Sequence, residues 1–139
     1  MAFGQKHFQP SLANSFLMDV ALYWFIHLKT PPAGFLSSHA PFGIHTDVYI
    51  FKGCGERTRY TWSHPVLRLW GEEAPLQCRE CKSLKPWGKP SVDMELGIVT
   101  LVCGYCRYSL PPFVKQQSLK RYANGQSSRT DGEWYYESI

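Results

Sequence analysis

The sequence predicts one α+β domain, in which a buried N-terminal helix packs on a short antiparallel sheet and a cysteine-rich segment follows. Three observations support this class. An apolar stretch near the N-terminus has helical periodicity, the next one alternates with the period of a strand, and four later cysteines form two Cys-x-x-Cys pairs. At 139 residues, of which 44% are apolar, the chain is long enough to bury one core.

The helix is predicted over residues 15–29. Asn14 or Ser15 can cap its start, and the Thr-Pro-Pro sequence at 30–32 ends it. Apart from one polar stripe, its surface is apolar, so we expect most of it to be buried.

The polar stripe consists of Asp19, Tyr23 and His27, which follow one another at four-residue spacing. We expect His27 to be a hydrogen-bond partner of Asp19 or Tyr23. The same stripe interrupts the apolar run 16–28, which has only 13 residues and no cleavage pattern after it. The run therefore indicates neither a membrane span nor a signal peptide.

The sheet is predicted from residues 47–52 and 57–62, which alternate in strand fashion around a Gly-rich turn and form a hairpin. A third strand is expected at 66–70. Residues 31–46, rich in Pro, Gly, Ser and His, predict an ordered loop because their apolar side chains would be costly to expose. Residues 1–74 thus form a helix and hairpin region.

The remainder divides into three predicted parts. Residues 75–110 contain both cysteine pairs, with an apolar strand at 96–102 between them. Residues 111–125 predict a short helix over 113–122, opened by two prolines and closed by Asn-Gly. Residues 126–139 predict a flexible tail whose aromatic residues 134–136 can dock back.

The cysteine pairs carry the clearest chemical signal in the chain. Two residues lie within each pair and 21 lie between the pairs. This spacing lets two tight turns direct four thiolates at one ion, which completes a tetrahedral shell and leaves no open position for catalysis. Zinc is the expected ion, and iron in a rubredoxin-like site is the alternative. A second pair has no place in thiol–disulfide exchange.

The order of turn, loop, strand, turn and strand over residues 75–110 resembles a zinc ribbon. The resemblance implies one zinc ion held by Cys78, Cys81, Cys103 and Cys106. Zinc ribbons often have glycine directly after the second cysteine of each turn, whereas this chain has Lys82 and Arg107. Reduced thiolates also favour an intracellular location, nuclear or cytoplasmic.

Positive charge is concentrated in the same half of the chain. Residues 79–121 contain eight basic and three acidic residues, a net charge of +5, whereas the whole chain carries +4. Cations interleaved with aromatic rings suit nucleic acid, because they neutralise phosphates and stack on bases. An acidic protein is the alternative partner, and no membrane partner is expected. The candidate contact residues are Arg79, Lys82, Lys85, Trp87, Lys89, Arg107, Tyr108, Lys115, Lys120 and Arg121.

These patterns leave three classes of function open. We favour a metal-binding module that recognises nucleic acid, and the alternative is a metal-stabilised interaction or scaffold domain for protein. An enzyme comes third. Its residues would be Cys54, in the glycine-lined turn, or His45 and Asp47, which match the His-x-Asp half of an iron facial triad. His39 and His64 are expected to be structural or surface histidines, and the chain is interpreted as a non-enzyme.

Overall fold

The computed structural model describes residues 2–3, 10–27, 35–53, 55–93, 95–122 and 132–139. They form a mixed α+β fold. The helices are α1 (Pro10–Ala21), continued by a π-helical turn (Leu22–Ile26), and α2 (Ala40–Gly43), preceded by a 3-10 helix (Phe35–His39). The strands are β1 (Ala2–Phe3), β2 (Val48–Phe51), β3 (Arg57–Ser63), β4 (Ser91–Asp93), β5 (Ile98–Thr100), β6 (Phe113–Val114), β7 (Lys120–Arg121) and β8 (Glu133–Ser138).

The strands form two antiparallel sheets. The larger sheet has the order β1-β2-β3-β8-β7, and the smaller has the order β4-β5-β6. In the larger sheet Trp62 of β3 is directly opposite Trp134 of β8, and Thr61 is opposite Tyr135. Because successive side chains alternate between faces, the two tryptophans lie on one face and Tyr135 lies on the other.

Each face of the larger sheet has its own core. The first core joins the sheet to the helices and contains Ala13, Phe16, Val20, Phe35, Leu36, Phe42, Val48, Trp62 and Trp134. The second core joins the sheet to the cysteine-rich half and contains Leu69, Trp70, Val99, Leu101, Leu110, Leu119 and Tyr135. The molecule is therefore layered as helices, large sheet and small sheet, and the cysteine turns belong to the outer layer.

The helical layer lies very close to the sheet at Gly43 of α2. A Cβ atom there would lie 2.5 Å from Trp62 Cβ and 2.6 Å from the ring of Trp134. The Gly43 carbonyl accepts a 2.7 Å hydrogen bond from Arg68, whose guanidinium also pairs with Asp47 at 2.8 Å. A buried charged group thus joins α2 to the residues on either side of the hairpin.

The predicted helix is wrong in its bounds and in its burial. It begins at Pro10 rather than at residue 15, because Pro is favourable at the first helical position. Only one side is buried, while Met18, Phe25 and Ile26 are 65%, 75% and 69% exposed. Residues 28–29, which the prediction also included, lie outside the described residues.

Of the two expected partners of His27, Tyr23 lies against it and Asp19 pairs elsewhere. Asp19 pairs instead with His39, whose Nε2 lies 3.1 Å from its carboxylate, because the 3-10 helix brings His39 against α1. His27 contacts the ring of Tyr23, with ring centroids 6.2 Å apart. The residues of the polar stripe therefore make two separate contacts, one from Asp19 to His39 and one between Tyr23 and His27.

The hairpin is confirmed, since β2 pairs with β3 in antiparallel register. Residues 66–70 are not a strand but a turn, closed by bridges from His64 to Arg68 and from Leu69 to Glu72. Within residues 31–46, the described part is helical from Phe35 to Gly43, and the expected burial of Phe35, Leu36 and Phe42 is confirmed.

The predicted C-terminal helix is wrong, and so is the predicted flexible tail in its described residues. The expected helix over 113–122 is absent from the described residues, which form β6 and β7 and bury Leu119. The expected flexible tail contains β8, a strand between β3 and β7. Trp134 and Tyr135 are buried in the two cores, so docking of these aromatics is confirmed. Residues 123–131 lie outside the described residues. No described helix has the length and apolar character needed to cross a membrane.

Candidate metal centre

Two backbone turns with the same hydrogen-bond pattern carry the four cysteines. We call residues 76–85 the first knuckle and residues 101–110 the second knuckle. Corresponding residues are 25 positions apart. Three backbone hydrogen bonds repeat at this spacing. The amides of Lys82 and Arg107 donate to the carbonyls of Cys78 and Cys103, whose own amides donate to the carbonyls of residues 83 and 108. The first and last residues of each knuckle, 76 with 85 and 101 with 110, are also hydrogen-bonded. The chain thus builds the same ligand-presenting turn twice.

The loop that follows the first knuckle is hydrogen-bonded to the second knuckle. The Gly88 amide donates to the Val102 carbonyl at 3.0 Å, and the Gly104 amide donates to the Pro86 carbonyl at 2.8 Å. These bonds link the loop after the first knuckle to the second knuckle. The first cysteine of each knuckle, Cys78 or Cys103, is buried, and the second, Cys81 or Cys106, is exposed.

The sulfur geometry fits one tetrahedral ion. The four sulfur atoms lie within 4.8 Å of one another, and the Cys78–Cys106 and Cys81–Cys103 pairs are each separated by 3.7 Å. A Zn–S bond of about 2.3 Å places tetrahedral sulfurs about 3.8 Å apart. A disulfide would need a separation of about 2.05 Å. The four cysteines are therefore together in space and could hold a metal ion.

The residues after the second cysteines have the left-handed backbone conformation that glycine adopts most readily. Lys82 has a φ of 60° and Arg107 a φ of 64°, both in the left-handed region. This conformation costs an L-residue about 1–2 kcal/mol. Lys82 and Arg107 therefore adopt a conformation favoured by glycine and add a cation next to the second cysteine of each pair.

Ser83 prepares one ligand for a cation. Hydrogen bonds between Cys81 and the side chain and backbone of Ser83 lower the pKa of Cys81 to about 6, and the Cys81 sulfur lies 3.3 Å from the Ser83 hydroxyl oxygen. At Cys106 a hydrogen bond from the Tyr108 backbone lowers the pKa, but lost hydration and the neighbouring thiols outweigh it and raise the pKa to about 11. The hydrogen bonds from Ser83 thus favour the thiolate form of Cys81.

The predicted contact residues have different surroundings. Trp87 donates its indole N–H to the Pro75 carbonyl at 2.6 Å and packs, like Tyr108, against the second core. Lys115 lies over the ring of Tyr135, 5.0 Å from its centroid, and Arg121 pairs with Glu133 at 2.6 Å. These four side chains already have contacts within the fold.

The other six candidates are exposed. Lys120 is opposite Tyr136 in the large sheet, which places it on the helix-bearing face and away from the knuckles. The remaining five lie in the knuckles or directly after the first one, and together we call them the basic surface. They are Arg79, Lys82, Lys85, Lys89 and Arg107. Tyr105 is not among the ten candidate contact residues, and it is 72% exposed between two of the four cysteines.

The alternative catalytic residues are not brought together into a metal site. Asp47 pairs with Arg68, and this ion pair is buried, with the two side chains 12% and 9% exposed. His64 stacks on Trp62 and accepts hydrogen bonds at Nδ1 from the backbone of residues 66 and 67. Within the described residues, the cysteine cluster is the only group of three or more metal-binding side chains. Cys54 lies outside the described residues.

Comparisons with known proteins add no relative to this picture. No family model, no curated protein and no solved structure matches the chain.

Proposed function

We propose that the chain is a zinc-binding recognition module that contacts nucleic acid through the basic surface beside its metal centre. A Zn²⁺ ion in a four-thiolate shell has a structural role, because it leaves no coordination position for substrate. The four cysteines would hold the ion and crosslink the two knuckles. The basic surface would then be held in a fixed arrangement.

The observation that carries the proposal is the distribution of ion pairs. The five ion pairs of the described residues involve Asp19, Asp47, Glu56, Glu133 and Glu137, and all lie outside the knuckles. The basic surface therefore has no acidic partner within the described part of the chain. Uncompensated cations on one side of a protein raise the local concentration of polyanions and speed their association.

The charge of the metal centre itself does not cancel this surface. Zn²⁺ with four thiolates leaves about two net negative charges. Glu80, in the first knuckle, adds one more. Five cations exceed these three charges, so the face remains positive when the metal is bound. A role in balancing the thiolate charge accounts for some of these cations but not for all of them.

The test is the salt dependence of binding to nucleic acid by the zinc-loaded protein. Each phosphate contact should contribute about 0.7 to 0.9 to the slope of log affinity against log salt concentration. Lys85→Ala and Lys89→Ala should each reduce the slope by about one. Lys52→Ala is the matched control, since Lys52 pairs with Glu56 outside the knuckles. A slope that none of these variants changes would contradict the proposal.

A second candidate function is supported by a different surface. Met18, Leu22, Phe25 and Ile26 are exposed along α1 and its π-helical turn, and a continuous apolar stripe of this kind marks protein contacts. We propose a protein partner for this stripe as the alternative. Binding that persists at high salt and is lost in Phe25→Ser but not in Lys89→Ala would favour it.

A further inference from the structure

The elements that carry the positive charges indicate which kind of nucleic acid the basic surface recognises. Duplex DNA is read mostly by a helix or a two-stranded ribbon in the major groove. The described helical residues, 10–27 and 35–43, contain no Lys or Arg. The β4–β5 hairpin carries Asp93 and Glu95 at its turn. Neither the helices nor this hairpin has the charge needed to enter a groove between phosphates, and in the β2–β3 hairpin Lys52 and Arg59 are paired with Glu56 and Glu137.

The second knuckle presents an aromatic ring instead. Among the four aromatic residues of segment 76–114, Trp87, Tyr108 and Phe113 pack against the second core, whereas Tyr105 is 72% exposed. No ring contact or hydrogen bond involves the Tyr105 side chain within the described residues. A flat, amphipathic ring that the fold does not use is a suitable surface for an unpaired base.

The backbone of Tyr105 is held in place, and its ring stays accessible. It lies between Cys103 and Cys106, in a turn closed by the 3.1 Å hydrogen bond from the Arg107 amide to the Cys103 carbonyl. A bound ion would crosslink that turn to the first knuckle. Tyrosine has few rotatable bonds, so little conformational entropy is lost when a base stacks on it.

Exposed cations accompany Tyr105 in both knuckles. Arg107 follows Tyr105 by two residues in the second knuckle, and its side chain is exposed. Lys82 occupies the corresponding position of the first knuckle, across the sulfur cluster. A strand whose base stacks on Tyr105 would thus have cations of both knuckles available to its phosphates, as single-strand binding requires.

We propose that the module binds single-stranded DNA or RNA and that Tyr105 is the residue on which an unpaired base stacks. This inference rests on the proposed function. It adds a substrate class and a contact residue that the charge distribution alone does not provide.

The test compares a labelled single strand, oligo(dT) or oligo(rU), with a mixed-sequence duplex of equal length by fluorescence anisotropy, using zinc-loaded protein. The wild type should prefer the single strand. Tyr105→Ala should weaken single-strand binding about tenfold or more, while leaving the salt slope and the duplex affinity unchanged. Tyr105→Phe, which keeps the ring, should bind like the wild type.

Leu84→Ala is the matched control, because Leu84 is apolar, is 71% exposed and lies in the other knuckle. It should leave binding unchanged. Zinc content and thermal unfolding of each variant show that the fold is retained. A 5-iodouracil oligonucleotide should also photo-crosslink to the peptide that contains Tyr105.

The possible results distinguish failure of the single-strand assignment from failure of the proposed function. Salt-dependent binding that favours the duplex, or that is equal in Tyr105→Ala, Leu84→Ala and wild type, would overturn the single-strand assignment but keep the proposed function. The absence of salt-dependent binding to either nucleic acid would overturn both.

Discussion

Lys82 and Arg107 each occupy a backbone position that favours glycine, and each adds a positive charge there. Both have left-handed backbone conformations that glycine adopts without penalty. We expect Lys82→Gly or Arg107→Gly to raise the free energy of unfolding of the zinc-loaded protein by about 1 kcal/mol and to weaken nucleic-acid binding. Denaturant unfolding and salt titrations measure the two effects.

Lys89→Gly is the control for these variants. Lys89 is also exposed but its φ is not positive, so glycine there should lower stability through its greater freedom in the unfolded chain. Equal loss of stability in all three variants would show that the left-handed conformation carries no strain.

Asp47 tests the difference between a buried ion pair and a metal ligand. Asp47→Asn leaves the buried Arg68 guanidinium without its counter-charge, which should cost about 3–5 kcal/mol of stability. Zinc content should remain at one ion per chain, as measured by elemental analysis. The double variant with Arg68→Met should recover part of the stability. Loss of a bound metal in Asp47→Asn with no change in stability would instead support a second metal site.

At the scale of elements, β8 is the strand on which both cores depend. Trp134→Ala should lower the free energy of unfolding by about 3–5 kcal/mol, because Trp134 is buried between the sheet and the helical layer. Ser138→Ala, at the exposed end of the same strand, should change it by less than about 0.5 kcal/mol. A similar small effect from both substitutions in urea denaturation would mean that the C-terminal segment is not integral to the fold.

The elements that sequence could predict are those whose partners are near in the chain. The β2–β3 hairpin follows from alternation around a Gly-rich turn, and the knuckles follow from cysteine spacing. β8 pairs with β3, about 75 residues earlier, and no local signal encodes that pairing. Residues 113–122 contain good helix formers, but burial of Leu119 against Tyr135 favours short strands instead.

The same distinction applies to the candidate site. The four candidate ligands could be predicted because the two cysteines of each pair are close together in the sequence. The charged residues could also be found in the sequence, but not whether their side chains are free to bind a partner. Only the tertiary contacts of Trp87, Lys115 and Arg121 show that these side chains are already engaged, and only exposure singles out Tyr105. The type of each residue is thus known from the sequence alone, whereas the accessibility of its side chain depends on the whole fold.

At the scale of the whole molecule, the metal should be needed for the outer layer but less for the helical layer. The first knuckle buries little apolar surface, since Leu76 and Leu84 are 77% and 71% exposed. Structural zinc can supply about 10–16 kcal/mol of folding free energy. Chelation should therefore increase amide hydrogen exchange first in residues 76–110 and in the second core, while β2, β3 and α1 remain protected.

Uniform exchange across all elements on chelation would contradict this order and indicate a single cooperative unit. An unchanged exchange rate in residues 76–110 would show that the knuckles are ordered without metal. Readdition of zinc is the control and should restore protection.

The central claim is that four thiolates hold one ion between the two knuckles. Elemental analysis combined with thiol counting on protein purified under reducing conditions tests it most directly. We expect one zinc per chain, four thiols that become reactive only after chelation, and loss of the ion in Cys78→Ser and Cys103→Ser. Substoichiometric metal in the wild-type protein, or disulfides joining these cysteines, would contradict the account.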